Sequence, residues 1–188
     1  MKSWIWIVCL FLAIGSMRSQ GTEEPSWTLI TQLDNVEIRK YGPVIQARTL
    51  LDNKGQSSKG FRTLAAYIFG GNAQEQSIAM TAPVEETLAD NGAYMAFTMP
   101  SQYSLEDLPE PTDSLVTLHT VPSRTVAVIQ FSGWARDSVV AEQTRILLGT
   151  IEAHGWVAVS IPSLNQYNPP WTPPWKRRNE VMVQVRDQ

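Results

Sequence analysis

The sequence predicts an α+β protein in which two helices pack on an antiparallel sheet of about eight strands, built by pseudo-twofold duplication of a strand-strand-helix-strand-strand unit. Three observations predict it. Stretches of period-two alternation flank one amphipathic helical stretch in each half of the chain, and the order of elements repeats. Each half offers a single helix to cover four strands, so neither closes a core alone. The Pro-rich stretch from Pro100 to Pro111 separates the copies, but halves that cannot each close a core should pack together, so it is read as a connection inside one domain of residues 27–186.

Each element has its own local reason. Val36, Ile38 and Lys40 alternate with Glu37, Arg39 and Tyr41, and a second alternating run, Val44 to Leu51, follows the Gly42-Pro43 corner. Phe61, Leu64, Ala65 and Ile68 then fall at i, i+3, i+4 and i+7 before Gly70-Gly71, the pattern of a short helix with a glycine stop. Ile78 to Leu88 and Ala93 to Met99 read as strands around Asp90-Asn91-Gly92, a hairpin turn. In the second copy, Leu115 to Val121 and Thr125 to Phe131 read as strands. Asp137 is placed to cap a helix carrying Val140, Thr144, Leu147, Leu148 and Ile151. Trp156 to Ile161 and Glu180 to Val185 complete the set, with 162–179 as a loop.

The N-terminus has the layout of a secretory signal. Met1-Lys2 precedes an apolar run from Trp4 to Ile14, then Gly15-Ser16 and a polar stretch. That run is shorter than the roughly 20 residues a membrane span needs. Residues 1–20 are therefore expected to direct export, periplasmic or secreted, with an uncleaved membrane anchor as the alternative. Cleavage near residue 20 removes Lys2, Arg18 and the single cysteine, Cys9, and moves the formal charge from −3 to −5. A chain so acidic is a poor partner for a phosphate backbone, which argues against nucleic acid. Without cysteine, the mature chain has no disulfide, thiolate metal site or thiol nucleophile.

Several segments resemble the SOUL heme-binding family. They are Val36-Glu37-Ile38-Arg39-Lys40-Tyr41-Gly42-Pro43, the stretch from Gly60 to Asn72, Ile78-Ala79-Met80-Thr81-Ala82-Pro83-Val84, Phe131-Ser132-Gly133, Tyr167-Asn168-Pro169-Pro170-Trp171 and Arg177-Arg178-Asn179-Glu180-Val181. The resemblance implies a distorted antiparallel barrel with two helices. It also implies tetrapyrrole binding, of heme or another porphyrin, by a binder rather than an enzyme.

A porphyrin is a flat apolar plate with two carboxylates on one edge, so its site needs an apolar slot, a basic rim and, optionally, an axial ligand. The first helix offers Phe61, Leu64 and Ala65 as slot, with Lys59 and Arg62 beside its N-terminal end. The competing reading turns that stripe toward the sheet. The loop from Tyr167 through Trp171, Trp175, Lys176 and Arg177 offers aromatic rings and cations on a rigid proline backbone, either to grip a ligand or to brace a long connection. Some relatives carry lysine where Thr172 stands and histidine where Lys40 stands, and a protonated lysine cannot ligate iron. His119 and His154 are the remaining weak metal candidates; the first is read as facing out of its strand, the second as ending a helix. Met80, Met95 and Met99 are read as core.

Other functions find less support in the residues. No HExxH, GxSxG or P-loop pattern is present, and acid pairs such as Glu85-Glu86 sit at adjacent positions, so an enzyme is disfavoured. An effector or lipid-type small-molecule module is the main alternative, and a polyproline-type ligand in Pro170 to Trp175 a further one. The expectation is an exported carrier, buffer or scavenger of porphyrin, monomeric or weakly dimeric, with no stable membrane insertion once the leader is removed.

Overall fold

A computed structural model describes residues 22–51 and 56–187. The expected leader, with Cys9, lies outside the described residues. The first copy comprises β2 (Val36–Tyr41), β3 (Val44–Leu50), α1 (Ser57–Ile68), β4 (Val84–Thr87) and β5 (Tyr94–Thr98), preceded by β1 (Trp27–Leu33). The second comprises β6 (Thr117–Val121), β7 (Arg124–Phe131), α2 (Asp137–Ala153), β8 (Trp156–Ala158), β9 (Ser163–Gln166) and β10 (Asn179–Asp187), with a short 3-10 turn at Pro174–Lys176. The ten strands of the described residues join one curled antiparallel sheet, in the order β1-β2-β7-β10-β9-β4-β5-β3-β6, with β8 paired to β10.

That order displays the duplication. Exchanging β2 with β6, β3 with β7, β4 with β9 and β5 with β10 reverses the eight strands that follow β1, so the β4·β9 pair lies on the pseudo-twofold axis. Strands β2 and β3 part at Gly42-Pro43 and pair instead with β7 and β6, which part at Pro122-Ser123. Each copy thus supplies an edge to the other's core. A cut near Pro111 would divide both.

Strand alternation sends one set of side chains to the helices and the other to the concave face. Under α2 lie Val36, Ile38, Ala127, Ile129, Val181 and Val183, meeting Val140, Leu147 and Ile151 of the helix. Under α1 lie Ala47, Met95, Phe97 and Met99, meeting Leu64, Tyr67 and Ile68, with Met80 half-buried beside them. Helix α1 approaches closely at Gly60, where a Cβ would come within 2.6 Å of Leu51 Cδ2. The stop at Gly70-Gly71 has the same character, since a Cβ on Gly71 would meet the Ala66 carbonyl oxygen at 2.6 Å. Asn72 closes the turn: its Nδ2 donates to the carbonyls of Tyr67 and Gln76, and its Oδ1 accepts from the Gln76 N–H.

Several elements differ from the expectation, each for a local reason. β1 is an edge strand with largely exposed side chains, so burial imposes no alternation on its sequence. The strand expected over 78–88 is confined to Val84–Thr87; before it the chain runs irregularly, with Ile78 in the core and a cis Ala82-Pro83 bond. The counterpart of β4 is not Trp156 to Ile161 but Ser163–Gln166, inside the stretch read as loop. Its Ser163 and Asn165 are buried polar side chains, bonded to each other, which erase the apolar signal. Helix α1 begins at Ser57 rather than near Phe61, its first turn bonded through Ser57 Oγ to Glu86. Asp137 is the first helical residue of α2 and not its cap, a place where a carboxylate favours the helix dipole.

The sheet and both helices lie within 22–187, so deleting residues 1–21 is expected to leave a soluble, cooperatively unfolding protein. A circular-dichroism melt of the truncated chain checks this; a molten product beside a well-folded full chain would make the N-terminal segment part of the fold.

Candidate functional site

Helix α1 separates the two readings of its stripe. Leu64 is fully buried against the sheet, whereas Phe61 is 42% exposed and Phe69, just past the helix end, is 69% exposed. Leu64 is thus a core residue with no surface to offer a ligand. Ala65 lies between the two phenylalanines, half-buried, and the three succeed one another at i, i+4 and i+8 along one outward stripe. Over that interval the helix rises about 12 Å. Arg62 and Lys59 are exposed along the same helix. Phe61 also touches Phe97 edge-to-face at 5.3 Å between ring centres, which fixes its ring at the boundary of core and surface. The stripe read from the sequence ends at Ile68 and leaves Phe69 out; the continuing i+4 spacing from Ala65 is the signal that Phe69 shares it.

The loop after β9 divides in the same manner. Trp171 is 83% and Trp175 75% exposed, and Lys176 is exposed beside them. Arg177, expected on the rim, braces the loop: its Nε donates to the Thr172 carbonyl at 2.9 Å, its Nη2 to the Pro170 carbonyl, and its guanidinium lies 3.9 Å over the Trp134 ring. Gly133, at φ +97°, ties its N–H to the Pro174 carbonyl and its own carbonyl to Asn179. Trp134, itself exposed, is thereby held beside the loop.

Tyr167 belongs to a different assembly. Its hydroxyl donates to Glu180 Oε2 at 2.7 Å and its ring carries the Arg178 guanidinium at 3.4 Å. Glu180 is buried and accepts from Arg39 Nη1 at 3.1 Å and from Arg39 Nη2 at 3.4 Å. Arg39 in turn donates to Glu37 at 2.6 Å and to the Tyr41 hydroxyl at 3.3 Å, under the ring of Trp27. Burial opposes the Arg39 charge, but the neighbouring Glu180 carboxylate and the hydrogen bonds outweigh it and hold the guanidinium protonated above its ordinary range. Burial, reinforced by Glu180, likewise pushes the Tyr167 hydroxyl far above the usual phenol value. These side chains are committed to one another and tie the first motif to the last.

Neither histidine reaches the α1 stripe. His119 is exposed on the edge strand β6, on the face opposite α1 and paired with Gln46, with Nε2 2.9 Å from Thr117 Oγ1; partial burial, then Arg48, lowers its pKa. His154 caps α2, with Nδ1 2.8 Å from the Thr150 carbonyl. Among the described residues no three His, Cys, Asp or Glu side chains gather as a metal site. A cleft of about 520 Å³ lies between residues 23–26, the Gly42-Pro43 corner and the end of β5. Among the described residues its charged lining is Glu23 and Glu24, the latter paired with Arg178 outside the cleft, which leaves Glu23 to oppose a dianionic porphyrin there. The aromatic and basic outer surface of α1 and the tryptophan loop fit such a ligand's chemistry better.

These features place the chain among internally duplicated α+β half-barrel proteins with one helix over each half of the sheet. Within that class, the chain belongs to the SOUL heme-binding protein family, whose model matches residues 22–184. It is 30% identical over 162 residues to mouse heme-binding protein 2, covering 79% of this chain and 78% of that protein. It is 31% identical over 137 residues to heme-binding protein 1 of Xenopus laevis, covering 66% and 68%. Among solved structures, the EcmrR C-terminal domain superposes with a TM-score of 0.62 at 11% identity, covering 81% of this chain and 98% of that one. A hydrolase from Listeria innocua superposes at 0.57 with 15% identity, covering 81% and 92%. These two likenesses concern the fold alone.

Proposed function

We propose that this protein binds heme or a related porphyrin on the outer face of α1, as an exported, non-enzymatic carrier, buffer or scavenger. The observation that carries the reading is the uncovered Phe61-Ala65-Phe69 stripe with Arg62 beside it, in a chain of a heme-binding family. The stripe offers apolar contact to the plate, and Arg62 a charge-assisted hydrogen bond to a propionate. Lys59 at the helix start and Lys176 near the exposed tryptophans add positive charge for the same edge of the ligand. β9, from which the tryptophan loop departs, is separated from β5 beneath α1 by β4 alone. Bound heme supplies its own redox and ligand-binding chemistry; this chain supplies the surface and the charges that orient it.

No histidine shares the stripe, so the affinity should come from the ring and the propionates rather than from iron. Hemin and metal-free protoporphyrin IX are expected to bind within about tenfold of each other, roughly 1.4 kcal/mol. Arg62→Glu should weaken both by tens of fold at low salt, about 2 kcal/mol, and the loss should shrink as salt rises. Fluorescence titration of the purified protein measures these constants. A thousandfold preference for hemin that disappears in His119→Ala or His154→Ala would establish axial ligation and overturn the ring-and-rim account.

A further inference from the structure

We propose that the concave face of the sheet holds a second, separate site, for a small aliphatic carboxylate bound between Arg124 and Arg48. The two arginines line a polar cavity of about 130 Å³ on the side of the sheet opposite both helices. Its volume is that of about four water molecules in the liquid, enough for a ligand of a few heavy atoms and far too small for a porphyrin.

The charges within it do not balance. Arg124 Nη1 is buried and has no hydrogen-bond partner among the described residues, and its guanidinium carbon lies 5.6 Å from the centre of the Tyr41 ring. A buried donor of this kind costs free energy until an acceptor reaches it. Arg48 gives Nε and Nη2 to Gln46 Oε1, at 3.0 and 2.8 Å, and lies 4.4 Å over the Tyr94 ring. Among the described residues the cavity's one carboxylate is Glu85, which accepts from Gln46 Nε2 at 2.9 Å and from the Tyr94 hydroxyl at 3.4 Å and makes no ion pair with either arginine. Two guanidiniums against one carboxylate leave a single positive charge. That charge suits a monoanion, whereas a dianion such as phosphate would bring excess charge toward Glu85. The planar guanidinium fork matches a carboxylate, and Val121, Val126 and Met182, which line the same cavity, suit a short alkyl tail.

The probe is isobutyrate, with isobutyramide as its neutral isostere and inorganic phosphate as the competing anion. Each is titrated into the full chain while the arginine side-chain N–H resonances are followed by NMR. Saturable displacement of the Arg124 signal by isobutyrate, and none by the amide, is expected. Arg124→Gln should weaken isobutyrate at least about tenfold, with Arg48→Gln acting in the same direction. Arg124→Lys, which keeps the charge without the fork, should fall between and serves if the glutamine variant folds poorly. Hemin affinity should be unchanged in Arg124→Gln, so failure here and failure of the porphyrin reading are separately visible. Equal displacement by the amide, tighter binding of phosphate than of isobutyrate, or undiminished isobutyrate binding in the folded arginine variants would each overturn the assignment.

Discussion

Arg39→Ala is expected to destabilise the protein by about 3–5 kcal/mol, because it strands the buried Glu180 carboxylate without its cationic partner. Arg39 makes a forked contact to Glu180 at 3.1 and 3.4 Å, and both side chains are almost completely enclosed. Tyr167 would remain as a donor to Glu180, and Arg178 Nε stands 4.0 Å from its other oxygen. Neither replaces the fork, so the residual charge must be hydrated or protonated at the expense of packing. Urea denaturation of the variant measures the loss. The double replacement Arg39→Met, Glu180→Leu should recover much of it, since a buried pair is often no more stabilising than apolar groups of similar volume. A loss under 1 kcal/mol in Arg39→Ala would mean that water enters the network freely and that the pair is not a clamp.

The same network shows what was legible in the sequence and what was not. The stretch 36–43 and the stretch 177–181 stand out as motifs, but nothing in their spacing says that Arg39 and Glu180 touch. Their meeting depends on β2 and β10 both flanking β7. Tyr167 is drawn into that contact, so an aromatic residue that reads as a stacking surface is a hydrogen-bond donor to a buried acid. Arg177 is similar: an exposed cation by sequence, it bonds the carbonyls that proline-rich backbone leaves unpaired.

The repeat was legible because apolar alternation follows burial, and burial recurs in both copies. It failed at β9, where alternate residues face a concave surface lined by polar side chains, so Ser163 and Asn165 carry strand geometry without hydrophobicity. The concave site has the same cause. Arg48, Glu85 and Arg124 lie on three different strands, each reading as an ordinary solvent-facing residue, and only the curl of the sheet gathers them. The helix stripe, in contrast, was half legible. Period 3.6 puts Phe61, Leu64, Ala65 and Ile68 on one broad face, but it does not say where that face divides between sheet and solvent.

Leu64→Ala and Phe69→Ser test that division from its two sides. Leu64 is entirely enclosed among Ala47, Met95 and Phe97, so truncation leaves a cavity in a packed interior and should cost about 2–5 kcal/mol of stability. Porphyrin affinity, measured where the variant is still folded, should change little, because no part of the Leu64 side chain reaches the surface. Phe69 is mostly exposed, and its replacement should alter stability by about 0.5 kcal/mol or less. Removing it takes away much of the apolar contact at one end of the plate, and porphyrin affinity should fall about tenfold, near 1.4 kcal/mol. Phe61→Ala should do both in part, since its ring meets Phe97 on one side and solvent on the other. Denaturation curves and porphyrin titrations on the same three preparations give the comparison directly. If Phe69→Ser leaves affinity intact while Trp171→Ala or Trp175→Ala abolishes it, the plate lies on the tryptophan loop and α1 serves the core alone.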